Sequence, residues 1–115
     1  MSVTIYHNPR CSKSRATLAL LNEKGIQPEI VEYLNAPPTK EELLRILDGL
    51  AMAPRDLMRK KEKPYAELNL SDESMSRDAL VDAILENPIL MERPVVVKDG
   101  RYAIGRPPEN VLEIL

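Results

Sequence analysis

Residues 3–34 read VTIYHNPRCSKSRATLALLNEKGIQPEIVEYL. Val3 to Tyr6 alternates strand-forming residues and reads as a short first strand, ended by Asn8-Pro9, a pair that favours a turn. From about Ser12 to Lys24, Ala16, Leu18, Ala19, Leu20 and Leu21 supply the apolar side of a helix, and Lys24-Gly25 is its stop. Glu29 to Leu34 reads as a second strand. Strand, helix and strand in so short a stretch predict parallel neighbours joined by a right-handed crossover. Cys11 then stands at a helix N-terminus, directly after a strand and a turn.

The flanking sequence completes the pattern. Pro37-Pro38 breaks the chain, Thr39 with Glu42 spells a capping box, and Leu43, Leu47 and Leu50 recur at helical spacing. Pro54 opens a short turn through Met58, and Arg59 to Lys63 is a charged segment that places Arg59 in a loop or at a helix end. Ser76 caps a third helix with Leu80, Val81, Ile84 and Leu85 as its stripe, stopped at Asn87-Pro88. Val95 to Val97 and Tyr102 to Ile104 flank Lys98-Asp99-Gly100-Arg101, whose Asp-Gly step suits a tight hairpin, and Pro107-Pro108 opens a final short helix ending at Leu115. The order is that of an α/β thioredoxin-like fold: a four-stranded mixed sheet flanked by helices, with a helical insertion between a βαβ half and a ββα half. In such folds the residue in the place of Pro94, directly before the third strand, usually carries a cis bond and faces the active-site loop.

A chain of 115 residues supports one core, so residues 1–115 are expected to form a single domain. Its hydrophobic fraction of 43% and charged fraction of 30% are those of an ordinary soluble domain. No run of 18 apolar residues occurs and the first ten residues lack the apolar stretch of an export signal, so the expected address is the cytoplasm. A net charge of -2 offers no broad attraction for nucleic acid or membrane, and an aromatic content of 3%, all tyrosine, gives little to stack bases on. Neither partner is expected, and a monomer is the default. The single cysteine excludes an internal disulfide and any metal centre built on two thiolates, so no metal and no bound cofactor are expected.

Cysteine reacts as thiolate, and a helix N-terminus favours that form through its unpaired N–H groups and its dipole. The loop from His7 to Arg15 adds Arg10, Lys13 and Arg15, cations that favour the thiolate and an incoming anion alike. The same donors suit an oxyanion such as arsenate, phosphate or sulfate. His7 orients the loop or tunes Cys11, or is merely structural. Ser14 stands where a Cys-x-x-Cys motif would carry its second thiol, so Cys11 needs an outside thiol for any redox cycle. Arg59, Arg93 and Arg106 are the candidate oxyanion ligands, because guanidinium groups donate in pairs and stay charged. The topology can carry Arg93 and Arg106, at the two ends of the hairpin, toward the first loop.

The string His7-Asn8-Pro9-x-Cys11 with Ser14-Arg15 resembles the arsenate reductase family that works with glutathione and glutaredoxin. Leu57-Met58-Arg59-Lys60, Pro64-Tyr65, Asn87-Pro88-Ile89-Leu90, Glu92-Arg93-Pro94-Val95-Val96-Val97 and Arg106-Pro107 extend the resemblance, in order, over essentially the whole chain. It implies that Cys11 attacks arsenate, that Arg59, Arg93 and Arg106 hold the oxyanion and the arsenylated intermediate, that His7 supports the low pKa of Cys11, and that glutathione as co-substrate and glutaredoxin as partner complete the reduction. Two features depart from the family pattern: Ser12-Lys13 replaces smaller or neutral residues, and the chain ends at Leu115 without the longer tail of the best-known members. Two rival classes share the fold. A general glutathione-linked thiol oxidoreductase would need Cys11 but tolerate loss of the arginines. The Spx-like regulators, which bind RNA polymerase without catalysis, typically carry Cys-x-x-Cys and lack an arginine matching Arg106.

Overall fold

The computed structural model describes residues 2–115, so Met1, the first residue of the expected domain span, lies outside the described part. The chain gathers into two compact units: residues up to Ala36 together with Arg93–Leu115, and Pro37–Glu92 between them in sequence.

The first unit is built on a sheet. β1 (Val3–His7) leads through α1 (Ser12–Glu23) to β2 (Glu29–Glu32), and the chain returns as β3 (Val95–Lys98), β4 (Arg101–Ile104) and a 3-10 helix over Pro108–Ile114. The strand order is β2-β1-β3-β4. β1 and β2 run parallel with Ile5 opposite Ile30, whereas β3 is antiparallel to β1 and to β4. This is the thioredoxin-like arrangement expected from the order of elements. The hairpin turn has Asp99 and Gly100 both at positive φ, 51° and 75°, the backbone that a two-residue turn between twisted strands requires. Val3, Ile5, Leu21, Val96, Val111 and Ile114 form the buried core.

Three details of this unit differ from the sequence reading. β2 stops at Glu32, not Leu34, because the N–H groups of Asn35 and Ala36 both turn back to the Glu32 carbonyl. The last helix is a 3-10 helix. On α1, Ala16 and Ala19 are exposed, and the buried positions are Ser14, Thr17 and Leu21. Small hydroxyl residues can occupy an inner face when their oxygens are satisfied, and Thr17 Oγ1 donates to the Lys13 carbonyl at 2.8 Å. The Arg93-Pro94 bond is cis, in keeping with the fold, and so is Arg106-Pro107, which the sequence did not suggest.

The second unit is helical: α2 (Lys40–Leu50), α3 (Pro54–Leu57), α4 (Lys63–Glu67), α5 (Arg77–Glu86) and a 3-10 turn over Pro88–Leu90. The capping box at Thr39 is formed in both directions, Thr39 Oγ1 accepting from the Glu42 N–H and Glu42 Oε1 from the Thr39 N–H. α4 begins at the lysine that ends the charged segment, with Pro64 in its first turn, a start the charge pattern concealed. Leu43, Ile46, Leu47, Leu57, Leu80, Val81 and Ile84 are buried, while Leu85, expected on the same stripe, is only partly so. A single antiparallel bridge pairs Met58 with Met91. Among the described residues no helix is long and apolar enough to cross a membrane.

Candidate active site

β1 delivers the chain to the sheet's end at His7, and the next four residues form a tight connection into α1. The Cys11 N–H bonds to the Asn8 carbonyl at 3.0 Å, the Arg10 N–H to Asn8 Oδ1 at 3.0 Å, and Arg15 reaches back with Nη1 to the Pro9 carbonyl at 2.9 Å. Arg15 therefore staples the loop to the first turn of α1. Beneath it, Ser14 Oγ accepts from the Asn8 N–H at 3.0 Å and lies 2.6 Å from His7 Nδ1. With the imidazole proton on Nε2, the Ser14 hydroxyl donates to Nδ1 while its oxygen accepts from Asn8. Burial lowers the His7 pKa, Glu32 opposes it and Arg15 reinforces it, so the imidazole is neutral at pH 7.

Cys11 occupies the N-cap of α1, 8% exposed, with its backbone still extended and no regular side-chain cap bond. Burial pushes the thiol up, but the N–H of Ser14, the hydrogen bond and charge of Arg93, and the N–H of Lys13 together outweigh it and hold the thiol below its ordinary range. The helix start thus supplies part of the thiolate's stabilisation and an arginine from the other half of the sheet supplies more. That arginine arrives by register: Tyr6 lies opposite Val95, and Val95 opposite Ile104. The start of β3 and the end of β4 therefore meet the end of β1, which brings Arg93 and Arg106 to the Cys11 loop. Arg106 Nη1 lies 3.8 Å from Cys11 Sγ.

Gly105 and Thr17 belong to this construction and escaped the sequence reading. A Cβ on Gly105 would collide with Thr17 Oγ1 and the Pro94 ring, and the Gly105 N–H bonds to the Pro94 carbonyl at 3.0 Å. A hydrogen at this position lets the backbone before Arg106 pass close to α1 and to Pro94. A glycine just after a strand is the signal that could have marked it.

Arg59 lies in the helical unit. Its N–H bonds to the Leu90 carbonyl at 2.7 Å and the Glu92 N–H to the Leu57 carbonyl at 2.8 Å, flanking the Met58–Met91 bridge. Its guanidinium donates through Nε to Glu62 and through Nη1 to Glu92, each at 3.1 Å, so it sits between two carboxylates that the sequence reading had not assigned to it. Among the described residues no group of three or more His, Cys, Asp and Glu side chains is placed to hold a metal ion.

One thiol at a helix head with two guanidinium groups beside it can attack an electrophilic oxyanion centre and hold its oxygens. The ArsC family model matches residues 6–114. The chain is 59% identical to the uncharacterized protein YfgD of Escherichia coli K12, over 98% of this chain and 96% of that one. It is 48% identical to an arsenate reductase of Neisseria meningitidis serogroup A, over 98% of this chain and 97% of that one. The structure of an arsenate reductase from Vibrio cholerae superposes with a TM-score of 0.97 at 55% identity, over 100% of this chain and 98% of that one.

Proposed function

The chain belongs to the ArsC family, and from that premise we propose that it reduces arsenate to arsenite as a cytoplasmic monomer, with Cys11 as nucleophile, glutathione as co-substrate and glutaredoxin as partner. The Cys11 thiolate attacks the arsenic, an S–As bond forms, an As–O bond breaks, and the oxygen leaves as water. Glutathione adds a second sulfur by displacing a second oxygen in the same way. A glutaredoxin thiolate then attacks the glutathione sulfur. The mixed disulfide takes up that sulfur, the electron pair of its bond to arsenic stays behind, and arsenic falls to As(III). Water releases arsenite and restores Cys11. Two thiols have lost two electrons, arsenic has gained them, and one water is produced net.

Within this scheme Arg93 and Arg106 donate to the arsenate oxygens and then to the arsenylated intermediate, a fixed set of charges that costs no reorganisation as the bond forms. The family resemblance adds Arg59 as a third donor. Ser14 and His7 hold the Asn8 end of the loop, and Pro94 lines the start of β3 beside Arg93. The observation that carries the reading is the meeting of the single thiol with Arg93 and Arg106 at the head of α1. The test is arsenate-dependent NADPH oxidation with glutathione, glutaredoxin and glutathione reductase, comparing the parent with Cys11→Ser and Arg93→Ala. Turnover by the parent, none in Cys11→Ser and a fall of about 100-fold in Arg93→Ala are expected. A parent that exchanges with glutathione disulfide but ignores arsenate would instead be a general glutathione-linked oxidoreductase.

A further inference from the structure

The sheet order divides the surroundings of Cys11. β3 and β4, which bring Arg93 and Arg106, lie on one side of β1, and β2 lies on the other. On the β2 side a cleft of about 340 Å³ opens between the Asn8–Arg10 loop and the end of β2. This is within the range of small-ligand sites.

Its walls are fixed and chemically uneven. Asn8 and Arg15 pin one wall through the loop bonds described above, and the Glu32 carbonyl, accepting from Asn35 at 2.9 Å and Ala36 at 3.0 Å, pins the other. Pro9 and Leu34 give the cleft an apolar strip, Leu34 being 41% exposed. Arg10 contributes a cation and Glu32 an anion, and among the described residues neither forms an ion pair with any side chain. Opposite charges that line one cleft yet leave each other unused complement a ligand carrying both a carboxylate and an ammonium, while the apolar strip takes a short aliphatic stem. The cleft is also adjacent to the reaction centre: Arg10 directly precedes Cys11, about 3.8 Å away between Cα atoms.

Resting on the proposed function, which requires a second thiol from outside, we propose that this cleft binds the thiol co-substrate, a small zwitterionic peptide thiol of the glutathione class. Arg10 takes a carboxylate of the peptide, Glu32 its ammonium, and Leu34 with Pro9 packs the stem that carries the thiol toward Cys11. The two reactants then reach the nucleophile from opposite sides, arsenate from the arginine side and the peptide thiol from the β2 side, so neither must leave before the other binds.

Two measurements test this on the full chain. In the first, S-methylglutathione, which cannot react at sulfur, is titrated into the parent, Arg10→Gln and Glu32→Gln, and amide shifts are followed by NMR. Saturable shifts at Asn8, Arg10, Glu32 and Asn35, with Kd raised roughly five-fold in each variant as for loss of a partly exposed charge pair, are expected. Shifts elsewhere, or a Kd unchanged in both variants, overturn the assignment. In the second, coupled turnover is measured with glutathione varied at saturating arsenate. The expected result is a raised KM for glutathione in both variants, with the KM for arsenate within two-fold of the parent in Glu32→Gln. An unchanged KM for glutathione overturns the cleft while leaving the arsenate reaction standing. Cleft shifts in a protein with no arsenate turnover would keep the cleft and remove the reaction.

Discussion

At the residue scale the site rests on how one sulfur is charged. Two arginines approach Cys11: Arg93 lowers the thiol pKa by hydrogen bond and charge, and Arg106 donates through Nη1 to Cys11 Sγ at 3.8 Å. Arg93→Ala is therefore expected to move the pH midpoint of iodoacetamide alkylation at Cys11 upward, toward the ordinary thiol value of about 8.5. Arg106→Ala, which removes the donor 3.8 Å from Sγ, should weaken oxyanion binding, read as a raised KM for arsenate. An unchanged midpoint in Arg93→Ala would refute the role given to its charge. Cys11, Ser14 and Arg15 were legible in the sequence because they are near neighbours at the head of α1. Arg93 and Arg106 were legible only as candidates, since their approach depends on strand register. Glu92 was illegible as a partner of Arg59, since an ion pair across 33 residues leaves no periodic trace, whereas Glu62, three residues on, stood within local reach.

At the element scale, the strands and helices followed from patterns that local energetics enforce, and the misses fall where tertiary contacts override them. The capping box of α2 was readable because its two hydrogen bonds join residues three apart. Thr39→Ala removes one of them and frees the other, at a cost of about 1 kcal/mol, to be read as a lower urea midpoint with unchanged m-value. An unchanged midpoint would mean the helix is held by packing alone. α1 was misjudged on its buried face because Ser14 and Thr17 satisfy their hydroxyls locally and pack inward, which hydropathy does not register. Gly105 shows the same limit from the other side. Gly105→Ala forces a methyl into Thr17 and Pro94, so destabilisation of about 1–3 kcal/mol is expected together with lost turnover, because the displaced segment carries Arg106. A variant as stable and active as the parent would show that the close approach is not needed.

At the scale of the whole molecule, stability should carry the signature of its groups in separate pH windows. Asp72 is held below the ordinary carboxylate range first by the Ser74 hydroxyl and then by the Ser74 N–H, so its contribution is lost only as pH falls through its lowered folded pKa, below about 4. Cys11, also lowered, acts in a window ending near pH 8.5: there the unfolded chain binds the extra proton and stability rises with pH. Between these lies His7. Its folded pKa is lowered chiefly by burial, so above about pH 6.5 both states hold it neutral and it contributes no slope. Below that value the unfolded chain takes up a proton that the folded chain refuses until its own lower pKa is reached. Stability must therefore fall with falling pH across that interval, by at most about 1.4 kcal/mol per pH unit for one proton. His7 is the only histidine in the chain, so no second imidazole can confuse the assignment. Urea unfolding at pH 7, 6 and 5 should show the decline in the parent and a markedly flatter dependence in His7→Asn, whose amide can still meet Ser14. Equal slopes in the two proteins would mean that carboxylates, not the imidazole buried under the Cys11 loop, set the acid sensitivity of the fold.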